Sequence, residues 1–254
     1  MRNSLIVILL LVSIAWPGYS QVNQKTVSEF GLGLSMLTAY TDIGGAENAG
    51  PKSISEIAQM SKRPGLEGYY KYNINPRVSF KLNGIVGLLA GTDKGSRNEG
   101  RGYSFSSFIL DVSAIGVYYI VTEKEPFFYR SSLRRQGWNK NVYPSLYIQA
   151  GVGACIYALS PNEKLSNASL VGYEGGKTAT PVFPVGIGST LPIARDIRLF
   201  LETNYVFTLT DYLDGYSNEL YSKSKDAYLS ISAGLVYQLG YQKTNWRKSR
   251  SYRR

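Results

Sequence analysis

The chain has 254 residues, 28 of them Lys or Arg and 18 Asp or Glu, with one Cys and no His. Without histidine there is no Ser-His-Asp or Cys-His nucleophile, no His-ligated zinc and no haem on a proximal His. One cysteine permits neither an intrachain disulfide nor a thiolate cluster. An enzyme is therefore not expected, and neither is a cofactor or a metal.

Arg2 precedes an apolar run from Leu5 to Ala15, and Gly18-Tyr19-Ser20 then puts small residues where a signal peptidase reads. Residues 1–20 are predicted to be a secretory signal, with the mature chain beginning at Gln21. The run falls short of the ~18 apolar residues of a spanning helix. A mature chain with no apolar stretch of spanning length is either soluble beyond the inner membrane or crosses a membrane as a β-barrel.

Period-two alternation dominates the mature chain and predicts strands. Phe30, Leu32, Leu34 and Met36 alternate with Glu29, Gly31, Gly33 and Ser35. A second run sets Leu66, Tyr70, Tyr72 and Ile74 against Glu67, Tyr69, Lys71 and Asn73. Asn75-Pro76-Arg77 reads as a tight turn. The return strand carries Val78, Phe80, Leu82 and Val86 on one face and Ser79, Lys81, Asn83 and Gly87 on the other. The fourth places Phe108, Leu110, Val112, Ala114, Tyr118 and Ile120 opposite Asp111 and Ser113. The fifth places Leu146, Ile148, Ala150, Val152, Ala154 and Ile156 opposite Tyr147, Gln149, Gly151, Gly153 and Cys155. The sixth spans about 182–191, where Pro184 removes a ladder donor and predicts a bulge or a late start. The seventh alternates Leu199, Leu201, Tyr205 and Phe207 with Arg198, Glu202 and Asn204. The eighth alternates Leu229, Ile231, Ala233, Leu235, Tyr237 and Leu239 with Ser230, Ser232, Gly234 and Gln238.

Eight strands, mostly ~10 residues or longer, suit a tilted membrane strand better than a soluble sandwich. The even number and the apolar, Tyr- and Phe-rich face predict an eight-stranded antiparallel transmembrane β-barrel over residues 21–240. Its other face is Gly, Ser and Asn with scattered charges. So narrow a barrel is filled by side chains, and Glu67, Lys71, Lys81, Asp111, Arg198 and Glu202 are expected to meet there as a packed charge network.

Long connections at 41–64, 92–102, 160–180 and 211–226 alternate with short ones at 75–77 and 192–196. Outer-membrane barrels keep short turns in the periplasm and long loops outside, which places both termini in the periplasm. One connection breaks this pattern: 121–142 is long, yet falls on the periplasmic side. It holds Lys124, Arg130, Arg134, Arg135 and Lys140 against Glu123 and Glu125. The tail 241–254 holds Lys243, Arg247, Lys248, Arg250, Arg253 and Arg254 and no acid. The two segments make a basic periplasmic face suited to an acidic protein partner or an anionic surface. Trp138 and Trp246 lie within them, and Trp with Arg is typical of interface anchors. Arg130, Arg134, Arg135, Trp138, Lys140, Trp246, Arg247 and Lys248 are the predicted partner interface. The secretory signal argues against a nucleic-acid partner.

Three Gly-x-Gly pairs, at Gly31, Gly151 and Gly186, lack the third glycine that opens a helix in a nucleotide-binding loop. Small residues on a crowded lumen explain them. Cys155 falls on the inward face and reads as a small core residue.

One segment runs Val182-Phe183-Pro184-Val185-Gly186-Ile187-Gly188, then a short turn, a strand with Leu201-Glu202, and Thr208-Leu209-Thr210-Asp211-Tyr212-Leu213-Asp214. This resembles the PorG family, outer-membrane β-barrels of type IX secretion in the Bacteroidetes. Phe30-Gly31-Leu32-Gly33, the run from Tyr69 to Arg77, and the stretch from Tyr143 to Pro161 agree with that family in order. The likeness covers roughly 30–239. Gly215-Tyr216-Ser217 depart from the Asp-Val-Ser that follows the motif in the family, and the basic tail is not part of its pattern.

The resemblance implies a non-enzymatic barrel in the outer membrane that anchors the periplasmic PorK–PorN ring of the secretion and gliding machinery. It also marks Thr210, Asp211, Tyr212, Leu213 and Asp214 as a motif loop. The partners so implied are a ring lipoprotein, a ring protein and outer-membrane lipid, with no small-molecule substrate. The alternative is a small transport barrel, or a surface adhesin of the OmpX or OmpA kind.

Overall fold

A computed structural model of the chain describes residues 28–43, 61–94, 99–122, 144–167, 177–194, 196–210, 212–216 and 225–239. The predicted signal, the basic connection with Arg130, Arg134, Arg135, Trp138 and Lys140, the tail with Trp246, Arg247 and Lys248, and Asp211 lie outside them.

Eight strands form the molecule: β1 (Ser28–Tyr40), β2 (Lys62–Asn73), β3 (Val78–Thr92), β4 (Ser104–Val121), β5 (Ser145–Pro161), β6 (Lys177–Pro192), β7 (Ile197–Thr208) and β8 (Ala227–Leu239). A single 3-10 turn, Glu99–Arg101, and a short helix α1, Glu163–Asn167, complete the described elements. Each strand pairs antiparallel with the next, and β8 returns to β1, so the sheet closes into a barrel in sequence order. Closure leaves no edge strand, the condition for crossing a bilayer without exposing unpaired backbone.

The pleat decides which residues face out. Leu32 and Leu34 are 70% and 71% exposed, and Leu66, Val112, Ile187, Leu201 and Leu235 are exposed with them on the outer surface. A continuous apolar exterior of this extent faces lipid. Phe30 packs on Tyr70 near the end carrying both short turns, while Tyr40, Tyr205 and Phe207 stack near the other. These are the two aromatic girdles of a membrane barrel.

The turns have local causes. Asn75 Oδ1 accepts the amides of Arg77 and Val78 at 2.9 and 2.8 Å, which closes β2–β3. At β6–β7, the amides of Ile193 and Ala194 both reach the carbonyl of Ile197. An extra residue, Ile120, shifts the β4–β5 register between Tyr119 and Val121, just beyond Tyr119, which keeps the inward phase of β4 and reaches Lys71.

Two expectations for β6 need correction. It begins at Lys177 rather than near Val182. Pro184 produces neither a bulge nor a late start. It lies inside β6 opposite Val206, with constant register toward β5 and β7. The pairing toward β5 simply lapses at Gly151 and Val152, where a proline has no donor to offer.

Candidate functional site

The lumen is layered, and its lower half is ionic. At the short-turn end, Lys71 on β2 faces Glu29 on β1 across the ladder and bonds it at 2.7 Å. The Tyr119 hydroxyl accepts a second bond from Lys71 at 2.7 Å. Arg198 stands within electrostatic reach of Glu29. Above this pair, Lys81 lies fully buried between Glu202 at 2.5 Å and Glu67 at 3.4 Å. Tyr147 donates to Glu202 at 2.7 Å and Gln149 at 2.8 Å, so the carboxylate is held on three sides.

Lys71 and Lys81 are cross-strand partners, an arrangement of like charges that ordinarily destabilises a sheet. They part, one toward β1 and the other across the lumen to β7. The Lys81–Glu202 bridge thus ties opposite walls of the barrel together. The ring of Tyr69 lies beneath Lys81, with its centroid 4.4 Å from the ammonium.

Of the six lumen residues expected to share one network, the structure joins Glu67, Lys81 and Glu202. Lys71 belongs to a second group with Glu29, and Arg198 lies nearest that group. Asp111 stands apart nearer the long-loop end, accepting from the hydroxyls of Ser113 and Tyr228. Glu29 is the partner that the expected set lacks. Its signal is its phase, since it alternates with the exterior Phe30 and Leu32.

The upper half of the lumen holds a large hydrocarbon cluster beside Asp111, where the sequence predicts a polar interior. Leu37, Ile85, Leu89, Phe105, Ile109 and Val182 converge there, with Cys155 buried among them. Leu165 of α1 and Leu213 of the β7–β8 connection insert from above, both fully buried. The Gly-x-Gly pairs are packing features, as expected: Gly31 and Gly188 lie against the rings of Tyr69 and Tyr147. Among the described residues, ion pairs fill the lower lumen and a hydrocarbon cluster occupies much of the upper.

The motif loop is stitched into this mouth. Thr210 accepts from the Asp226 amide through its carbonyl, and the Leu213 amide donates to the Asp226 carboxylate at 2.9 Å. The Gly215 amide closes a turn on the Tyr212 carbonyl, with Gly215 at φ +77°, a conformation that favours glycine. Asp214 accepts from Tyr216 N at 2.8 Å and from Ile43 N at 3.2 Å, tying the β7–β8 loop to the segment after β1. Arg101 braces the same mouth, with Nε and Nη2 on Asp93 at 3.1 Å and its guanidinium beside the rings of Tyr103 and Tyr216. So Thr210, Tyr212, Leu213 and Asp214 build a cap, with Asp211 outside the described residues. Among the described residues no group of His, Cys, Asp or Glu could hold a metal ion.

No protein-family model matches this chain, and no curated protein does. Solved structures similar to it include Ail, the attachment invasion locus protein of Yersinia pestis, in complex with the heparin analogue sucrose octasulfate (13% identity, 85% of this chain and 100% of Ail, TM-score 0.45). Neisserial surface protein A is similar at 10% identity over 85% of this chain and 100% of that one, with a TM-score of 0.42. OprG of Pseudomonas aeruginosa is similar at 8% identity over 85% and 97%, with a TM-score of 0.40. At these identities the likeness is one of barrel architecture.

Burial pushes the Asp214 carboxyl from an ordinary 3.8 to about 7, and the charge of Asp42 adds to the rise, while bonds from Tyr216, Thr41 and Ile43 oppose it. The folded cap therefore keeps a proton that the opened loop releases near pH 4. Raising the pH from about 4 to 7 weakens the cap, and its full stability is present only below that window. Exchange of the Ile43 and Tyr216 amides, corrected for intrinsic rates, is expected to be about a hundredfold slower at pH 5 than at pH 8, a difference of about 2.7 kcal/mol. Asp214→Asn should flatten that dependence. Equal pH sensitivity in the variant would contradict this reading.

Proposed function

We propose that this protein is a non-conducting barrel of the outer membrane that anchors a periplasmic protein assembly, in the manner of PorG and the PorK–PorN ring of type IX secretion. The observation that carries the proposal is the filled lumen, with Lys81 bridging the walls and a hydrocarbon plug above it. A barrel filled in this way acts through its ends and its anchorage. Transport and adhesin readings are compatible with the same fold, and the plug weighs against the first.

Topology supports the periplasmic partner. β4 ends at Val121, β5 starts at Ser145 and β8 ends at Leu239, all at the barrel end that carries the two short turns. The basic connection and the basic tail are therefore attached to one end, together with the start of β1. Five basic residues against two acids in one segment, and six against none in the other, suit an acidic protein surface. The residue-level interface, from Arg130 to Lys140 and from Trp246 to Lys248, belongs to this proposal.

Photo-crosslinking from the 121–142 connection in cells, followed by mass spectrometry of the outer-membrane fraction, is expected to recover a periplasmic lipoprotein and its ring partner. Reversing Arg130, Arg134 and Arg135 to Glu should lower that yield at least fivefold and impair export. Normal export by a variant present at wild-type membrane levels would sink the proposal.

A further inference from the structure

At the long-loop end the barrel wall parts between β2 and β3. Their pairing stops at Gly65–Gly87, although β2 still pairs with β1 as far as Lys62 and β3 with β4 as far as Thr92. The main chain of 62–64 and that of 88–92 thus lack ladder partners in each other. A cleft of about 290 Å³ opens here and extends across the ends of β4 and β5.

Register fixes the cleft relative to the lipid belt. Leu88, Phe108 and Ala158 form one outward row, and Leu88 and Phe108 are exposed hydrocarbon. The next row toward the loops is Ala90, Ser106 and Ser160, and the one after pairs Thr92 with Ser104. Over these three strands the surface changes from hydrocarbon to hydroxyl within one row. Arg63 of β2 and Ser61 just before it line the cleft. Among the described residues the exposed Arg63 side chain has no ion pair or hydrogen bond, whereas Arg101, also at this end, is held by Asp93. Lys62 adds a second exposed cation beside it, and Glu163, first residue of α1, is the acid nearest in the chain to the β5 side.

A guanidinium with no partner among the described residues and a set of hydroxyls, directly above exposed hydrocarbon, match a ligand that is anionic, polyhydroxylated and acylated. We infer that this cleft binds the phosphorylated sugar headgroup of a glycolipid in the outer leaflet, with its acyl chains on the Leu88–Phe108 row. Arg63 takes the phosphate as a two-pronged donor, and Ser104, Ser106 and Ser160 take sugar hydroxyls. The cleft is at the small end of ligand pockets, which suits a headgroup rather than a whole lipid.

The test uses the full chain in phosphatidylethanolamine nanodiscs doped with diphosphoryl lipid A or with its dephosphorylated form. Lipid retained after transfer to detergent is read by native mass spectrometry. The wild type is expected to retain the phosphorylated form at least tenfold better. Arg63→Ala should lose about tenfold and Ser106→Ala about threefold, while Arg77→Ala at the opposite end changes nothing. Folding of each variant is checked by its heat-dependent gel mobility. Equal retention of the two lipids, wild-type retention by both cleft variants, or an equal loss in Arg77→Ala overturns the inference. Displacement by equimolar glucosamine 1-phosphate also overturns it and assigns the cleft to a soluble phosphosugar.

Discussion

Replacing Lys81 with methionine is expected to destabilise the barrel by about 3–5 kcal/mol, the usual cost of breaking a buried ion pair by removing one partner. Lys81 is fully buried, and its ammonium is the cation recorded between Glu67 and Glu202. Without it two carboxylates remain in a lumen too narrow to hydrate them. Lys81→Met/Glu202→Gln removes a charge of each sign and should recover most of the loss. At position 202 the amide oxygen can accept from Gln149, and the amide NH2 can donate to the Tyr147 hydroxyl. Urea titration of the lipid-reconstituted protein, followed by the folded-form gel shift, measures all three. Additive losses in the double variant would mean that the Lys81–Glu202 bridge across the barrel carries no coupling energy.

Gly234→Val is expected to prevent closure. A Cβ at Gly234 would strike the Leu32 carbonyl and the Gly33 Cα, backbone atoms of the neighbouring strand, as well as the ring of Phe200. Gly33 lies directly opposite on β1, and its own Cβ would meet the Ala233 carbonyl at 2.5 Å. The two glycines therefore let β1 and β8 pass Phe200 at the seam that turns the sheet into a barrel. A side chain can rotate away from a clash, but a ladder cannot move without breaking its register. Refolding into lipid vesicles should yield at least tenfold less heat-modifiable protein than the wild type. Gly68→Ala is the matching control, since its Cβ meets nothing nearer than Leu32 Cδ1 at 3.9 Å on the lipid face. Normal refolding of Gly234→Val would show that the seam has slack.

The sites differ in how far alternation reveals them. Side-chain period is a local property of a strand, so the inward phase of Glu67, Lys71, Lys81 and Glu202 is legible from the residues on either side. Partner choice is not. Lys71 and Lys81 share a rung, yet one bonds β1 and the other crosses to β7, a separation set by barrel curvature and diameter. The apolar plug is hidden for a related reason. Ile85, Leu89 and Ile109 occupy the inward phase of strands whose outward phase is also apolar, so alternation carries no contrast there. Leu213 comes from a loop and Leu165 from the five-residue helix α1, too short for a period to reveal its direction.

The seam illustrates the same division. That Gly33 and Gly234 face inward follows from their neighbours in sequence, but that they face each other follows only from closure. The class of the molecule is legible in the chain alone, because the absence of histidine, the strand period, the even strand number and the connection lengths each act locally or by composition. What fills the lumen, how the Thr210–Asp214 motif is used, and where the wall parts between β2 and β3 are settled by packing. Those features depend on contacts between residues far apart in the chain, whose geometry exists only once eight strands have closed on one another.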